Sequence, residues 1–265
     1  MARIITKDDV IAHKKNAIKS IGNVFETFIN SPNIKHLKKA DLLAYWIEGF
    51  SKYILDEEKF DYSKIPKYKR GEVISVNFGF NVGSEHGGKH YAIVLDNDNK
   101  QSSRVITVIP LSSGTTEKTN ERDVYLGNEL YDKLKNKYDK LHEETQKELQ
   151  ETTQMLEVIK KTFAVDSEDG KISKPDELVE LIKKLEERVD GINVKQRDLE
   201  SYEKEIIKLK SGSRAMMEQI TTISKMRIYK PKTSHDLLYG IKFSDGAMDK
   251  INEKLKELYI FQNRC

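Results

Sequence analysis

The sequence predicts an α+β chain, in which a small β-sheet domain is preceded by helices and interrupted by an antiparallel coiled-coil hairpin. Three observations carry this. Three β-branched, apolar runs lie close together, Val73–Phe78, Ala92–Leu95 and Val105–Leu111. A near-heptad pattern crosses residues 130–210, with one polar break at its middle. Two amphipathic stripes at helical spacing occupy residues 7–60. The chain therefore divides into a helical extension (1–65), a sheet domain in two pieces (66–129 and 211–265) and an inserted coiled coil (130–210).

Composition narrows the class. Of 265 residues, 37% are hydrophobic and 34% charged. The charged share exceeds the quarter typical of a globular domain, so part of the chain must be solvated helix. No apolar run approaches the roughly 18 residues of a membrane span, and the N-terminus lacks the apolar core of a signal peptide. A cytoplasmic protein without a membrane partner is expected. The single cysteine, Cys265, excludes an internal disulfide and a cysteine-rich zinc site. A net charge of +3 is too small to imply a nucleic-acid partner. The basic surplus falls in the sheet segments while 130–210 is net acidic. An RNA-handling module would show that bias, and solubility alone would produce it too.

Taken in order, Val10, Ile11, Ala17, Ile18, Ile21, Val24, Phe25 and Phe28 form the first stripe. Ser31-Pro32-Asn33 breaks it, since proline lacks a donor and restricts its predecessor. A second stripe, from Leu37 to Ile54 with Trp46, completes a helical pair that must bury its apolar face against something. Residues 61–69, with Pro66, form a linker. After the three sheet runs, 115–123 is polar and turn-like, and Val124–Leu126 suits a short strand. In the insertion, Leu134, Tyr138, Leu141, Thr145, Thr152, Met155 and Ile159 keep a four–three spacing with one missed step at Glu148. It returns at Leu178, Ile182, Leu185, Val189, Ile192, Gln196 and Leu199. Each arm, at about 1.5 Å per residue, is roughly 50 Å long. Beyond it, Ala215–Ile223 and Arg227–Tyr229 read as strands broken at Ser224-Lys225. Ser244 or Asp245 caps a last helix with the stripe Met248, Ile251, Leu255, Leu258.

Chemistry concentrates between the first two strands. Gly79–Lys89 contains GSEHGG, and glycine lets backbone approach a ligand closely. These residues carry a resemblance. RGEV, then GSE-x-GG and an apolar strand, followed by NDN, VITVIPLSS and, a hundred residues later, MEQITTISKMRI, resemble the MazF/PemK family of bacterial toxin–antitoxin toxins. The resemblance implies a small bent β-barrel of the SH3-like MazF type with a C-terminal helix. It also implies a homodimer, a cognate antitoxin partner, and cleavage of single-stranded RNA without metal or cofactor. Two residues are implicated in the family, an arginine just after the glycine loop and a threonine at the end of the third strand. Here they become His90 and Ser112.

Both are departures. Ser112 keeps a hydroxyl able to bond a phosphate oxygen. His90 exchanges a permanent, forked charge for a group titrating near neutrality. His86, four residues earlier, stands where many members carry glutamine; with His90 it could supply an acid and a base, although a loop histidine is more often simply solvated. Gly83, Ser84, Glu85, Gly87, Gly88 and Lys89 are expected to shape or line the RNA site, Ser84 and Glu85 by ordering the loop. Ser113 and Gln219 join them, with Thr221 or its neighbour Thr222 facing RNA and Lys225, in the basic run through Lys232, tracking phosphates. Solvated edge charges are the competing reading of that run. The competing function is a binding-only barrel gripping RNA, DNA or protein, with the helical rod as its working part.

Overall fold

The computed structural model describes residues 5–114, 120–164, 175–207, 209 and 212–260. It divides the chain into two compact units: Met1–Asp61 with Asn77–Lys89, and Tyr62–Val76 with His90–Cys265.

The first unit holds α1 (Lys7–Ile29) and α2 (Ile34–Asp56). Thr6 and Asp9 form a capping box, each side chain accepting the other's backbone N–H, which satisfies two of the donors a helix start leaves open. Asn33 caps α2 by accepting the Lys35 N–H at 3.0 Å, so the break falls at Ser31-Pro32-Asn33 as proline requires. Trp46 packs its ring near Phe50 and Tyr53. The stripes themselves stay largely open. No residue of α1 is buried, and α2 buries only Ala40 and Leu43.

The second unit is a mixed sheet and helix body. Its strands are β1 (Val73–Asn77), β2 (Lys89–Val94), β3 (Val105–Ser113), β4 (Val124–Gly127), β5 (Ser213–Ala215), β6 (Thr221–Ser224) and β7 (Ile228–Lys230). All pairings with a resolved register are antiparallel. The order is β4-β5-β3-β2-β1-β7, with β6 also on β3. The expected strand over 215–223 is two strands. β5 and β6 share one edge of β3, and the 3-10 turn Met217–Gln219 separates them. The detour coincides with Pro110 on β3, which has no N–H to give and only accepts, from Met216 N–H at 2.9 Å.

This topology bends the sheet. β6 and β7 lie on opposite edges of β3-β2-β1, four strand spacings apart, or roughly 19 Å if flat. Yet only Lys225–Arg227, wound as a 3-10 turn, joins them. Four residue steps reach at most about 14 Å even when extended, so the sheet must curl. Both faces are accordingly buried: Ile74, Val76, Ala92, Val94, Ile106, Val108, Ile223 and Ile228 on one, Val73, Ile93, Ile109 and Leu111 on the other. The ladder nevertheless remains an open path among the described residues. The closed barrel that was expected is not what the pairing shows, because a 3-10 turn closes hydrogen bonds within itself instead of laddering.

The second of those faces packs on helices. Leu130 and Leu134 of α3 (Glu129–Ala164), Tyr202 and Ile206 of α4 (Pro175–Ile207), and Met248 and Ile251 of α5 (Asp245–Tyr259) share one cluster with Val73, Ile93 and Ile109. Ser244 is the α5 cap, accepting the Ala247 N–H at 3.3 Å. Arg70 donates to the Leu95 carbonyl and to Asn252, tying the end of β2 to α5. α3 and α4 run antiparallel, with Glu148 to Lys195 at 2.5 Å and Glu151 to Arg188 at 2.9 Å. Thr145 and Thr152, buried where the heptad calls for apolar residues, return their hydroxyl protons to the carbonyls of Leu141 and Glu148. The expected break over 165–174 lies outside the described residues.

Candidate functional site

The glycine loop belongs to the first unit, and its backbone folds back on itself. The Phe78 N–H donates to the Gly88 carbonyl at 2.8 Å, and the Gly88 N–H to the Gly79 carbonyl at 2.7 Å. A Cβ at Gly87 would stand 2.8 Å from the Gly79 carbonyl, so only glycine allows this approach. Asn81 donates to the His86 carbonyl at 2.7 Å, and Glu85 accepts the Val82 N–H at 3.2 Å. His86 is half-buried, its ring edge-on to Phe78 with centroids 5.4 Å apart. Gly83, Ser84, Gly88 and Lys89 are exposed, Gly87 half-buried. Within this unit the Lys39 ammonium lies over the rings of Phe28 and Phe80.

The remaining candidates belong to the second unit. His90 is exposed near the start of β2. Ser112 and Ser113 end β3, the first half-buried and the second exposed. Ser112 pairs with Arg214 of β5, and Arg214 in turn with Tyr125 of β4. Residues directly opposite in an antiparallel ladder project to the same face, with Cβ atoms about 5 Å apart. Ser112, Arg214 and Tyr125 therefore form one cross-strand row. Thr221 sits opposite Val108 and is half-buried. Thr222 sits opposite Thr107, the two hydroxyls 3.0 Å apart and exposed. Gln219 ends the 3-10 turn and donates its N–H to Met216.

Lys225 departs from expectation. It is 1% exposed, with Nζ donating to the Lys100 carbonyl at 2.8 Å. Burial pulls its ammonium below the usual lysine range, against the opposing pull of Asp96. A lysine so placed has no surface to offer a phosphate. Lys230, further along the same run, is held by Glu205 at 3.2 Å and lies over the Tyr202 ring. The run is thus partly internal wiring between sheet and α4, which a one-dimensional basic cluster cannot reveal.

Three residues around Ser112 escaped the sequence reading: Arg214, Tyr125 and Asp123. Arg214 reaches Asp123 with NH1 to Oδ2 at 3.8 Å, in side chains 23% and 9% exposed. Burial pushes the Asp123 carboxyl up, Arg214 holds it down, Glu218 pushes it up further, and the Met217 N–H lowers it. Glu218 pairs with Arg122 at 2.7 Å. A Cβ at Gly114 would lie 3.5 Å from Arg214 Cδ and Nε, so the arginine runs beside that backbone. Gly212, at φ +79°, lets the turn pass within 2.8 Å of the Tyr125 hydroxyl and 2.9 Å of the Gly114 carbonyl, measured from a would-be Cβ. The only signal for Arg214 was its place just before MEQITTI; its register partner appears only once the strands are paired.

Among the described residues no group of three or more His, Cys, Asp or Glu side chains converges as a metal site requires, and no helix is long and apolar enough to cross a membrane. No curated protein matches the chain. The block MEQITTISKMRI lies beyond the one stretch that a family model covers, and so do α1 and α2. That stretch is residues 69–152, comprising β1–β4 and the first two-thirds of α3, and the model it matches is that of the PemK-like, MazF-like toxins of type II toxin–antitoxin systems.

Proposed function

We propose that this protein is the toxin of a type II toxin–antitoxin pair, a sequence-specific endoribonuclease that cuts single-stranded RNA without a metal. It would act as a homodimer, and a cognate antitoxin would restrain it. The observation that carries this reading is the β2–β3 register, in which Ala92 faces Pro110. That ladder ends there, and by alternation His90 and Ser112, each two residues on, project to the face of Ala92 and Pro110. Those are the two positions where the family places its arginine and threonine.

In the proposed reaction the ribose 2′-oxygen attacks the adjacent phosphorus in line. A P–O2′ bond forms as the P–O5′ bond breaks. The 2′-hydroxyl proton passes to a base, and another proton is delivered to the leaving 5′-oxygen. The products are a 2′,3′-cyclic phosphate and a 5′-hydroxyl. His90 is exposed and carries an imidazole, a group able to accept or donate a proton. The Ser112 hydroxyl would donate to a non-bridging oxygen as charge develops there. His86, Gly83–Lys89, Ser113, Gln219 and Thr221 would contribute to holding the RNA.

The test is cut-site mapping on a long RNA by primer extension, with the wild type beside His90→Ala and Ser112→Ala. Discrete cuts at a recurring short sequence are expected, with the His90→Ala rate reduced by about 10²–10⁴, the usual contribution of a general acid or base. A folded wild type that binds the RNA and makes no discrete cuts would establish the second reading, a binding-only module. The replacement of a permanent charge by His90 is the observation that favours that alternative.

A further inference from the structure

We propose that Arg214 forms, with Ser112, a binding subsite for an RNA phosphodiester at the end of β3. The inference rests on the nucleic-acid reading above and adds to it a residue that neither the glycine loop nor the family positions supply. Position 90 carries an imidazole, which lacks the permanent, forked charge of a guanidinium. A phosphodiester needs a fixed countercharge, and a guanidinium remains charged across all accessible pH and presents a planar fork to two oxygens. Arg214 is the cross-strand neighbour of Ser112 on its β5 side. Its side chain runs beside Gly114, where a Cβ would meet the arginine at ordinary contact distance.

The neighbourhood is built to hold the guanidinium in place. Asp123 faces it from the end of the 120–123 turn and is itself anchored by the Met217 N–H. That carboxylate fixes the arginine from behind at 3.8 Å, longer than a tight fork. Tyr125, the next residue in the row, places its hydroxyl beside Gly212 and the Gly114 carbonyl. The row thus offers a hydroxyl and a permanent cation on one face, the pair that an anionic phosphate oxygen requires.

The experiment separates binding from cutting. Binding of the full chain to a single-stranded oligoribonucleotide, 2′-O-methylated throughout so that it cannot react, is measured against salt. The oligonucleotide is a random-sequence pool. The wild type is compared with Arg214→Ala, Arg214→Lys and Asp123→Asn, each checked for its thermal transition. Arg214→Ala is expected to weaken binding roughly ten- to a hundredfold, as loss of a charged hydrogen bond does. It should also lower the salt slope by about 0.7, the value of one phosphate contact on a single strand. Arg214→Lys, which keeps the charge and tolerates the site better, should retain the slope while losing part of the affinity. Asp123→Asn breaks the same pair from the other side and should keep the wild-type slope.

An unchanged slope in folded Arg214→Ala overturns the subsite. So do equal losses in Arg214→Ala and Asp123→Asn, which would make the pair a structural brace, and so does a wild type that fails to bind. If Arg214→Ala is unfolded, Arg214→Lys decides: a wild-type affinity with it would leave the planar fork without a role and overturn the clamp. Arg214-dependent binding by a chain that cuts no unmodified RNA would leave the subsite standing and remove the nuclease assignment instead.

Discussion

At the scale of single residues, the proposal turns on His90. If its imidazole moves a proton in the slow step, the rate should follow a group titrating within roughly pH 5.5–7.5. His90→Arg holds its charge through that window, so it should flatten the pH profile and restore only part of the rate. A folded His90→Ala with an unchanged rate and profile would falsify its catalytic role. Ser112→Ala should cost less, about one hydrogen bond to a charged oxygen, or ~1.5–3 kcal/mol. Lys225→Met makes the opposite point. Because Lys225 is buried on the Lys100 carbonyl, RNA affinity and salt slope should not change. Its native pKa lies below the ordinary lysine value because burial disfavours the ammonium, so the unfolded chain holds that proton more tightly. Wild-type stability relative to Lys225→Met should therefore rise as pH climbs through the native pKa toward the unfolded value. Unfolding curves at neutral and alkaline pH check the sign.

Residue identity told only part of this story, for a physical reason. The hydroxyl of Ser112 and the imidazole of His90 are visible as letters, and so is the glycine loop, because each departs from what a strand or turn otherwise needs. Lys225 and Lys230 are visible as charges, but whether each meets water or an oxygen of the fold depends on Lys100 and Glu205, 125 and 25 positions away, which reach them only after folding. Arg214 gains its meaning from Ser112 across a ladder that joins residues on either side of an 80-residue insertion.

At the scale of elements, the helical hairpin is more than a tethered rod. Its base is core: Leu134, Tyr202, Ile206 and Leu209 are all buried with the sheet. Tyr202 donates its hydroxyl proton to the His235 carbonyl at 2.7 Å. The Lys137 ammonium bonds the carbonyls of Leu237 and Tyr239 at 3.0 and 2.8 Å. Replacing 131–209 by a Gly-Ser bridge would remove all of these groups. At about 1.5–3 kcal/mol for each large apolar side chain, the loss rivals a typical domain's entire 5–15 kcal/mol. That deletion should abolish the cooperative thermal transition. Replacing only 149–194, just inside the facing Glu148–Lys195 pair, should keep it, and calorimetry of the two proteins distinguishes these outcomes. The heptad spacing announced the helices and their antiparallel return. It did not announce which end was structural, since Leu134 and Met155 look alike in a heptad yet one is buried and the other half exposed.

At the scale of the whole molecule, the curl of the sheet follows from connectivity. The short link between β6 and β7 draws the two edges together and buries both faces, so strand runs that read as continuously apolar, such as VITVIPL, are explained. Ser112 of β3, Arg214 of β5 and Tyr125 of β4 lie in one row, and the end of β3 is where the chemistry is proposed. In the helical extension the two helices and the break between them were legible from Pro32 and the two stripes, whereas what covers the exposed Val10, Ile18, Tyr45 and Phe50 was not. On dimerisation, the shortened 149–194 protein should retain the wild-type oligomeric state by light scattering at micromolar concentration; a strict monomer would count against a dimer formed through the sheet.

If the chain cuts RNA by transesterification at the end of β3, the chemistry of the new RNA ends will carry its signature. The full chain is incubated with a long single-stranded RNA in excess EDTA, and the fragments are examined for terminal chemistry. The account predicts cutting undiminished by the chelator, with a 2′,3′-cyclic phosphate on one side of each break and a 5′-hydroxyl on the other. Cutting that EDTA abolishes and magnesium restores, or fragments that begin with a 5′-phosphate, would contradict it.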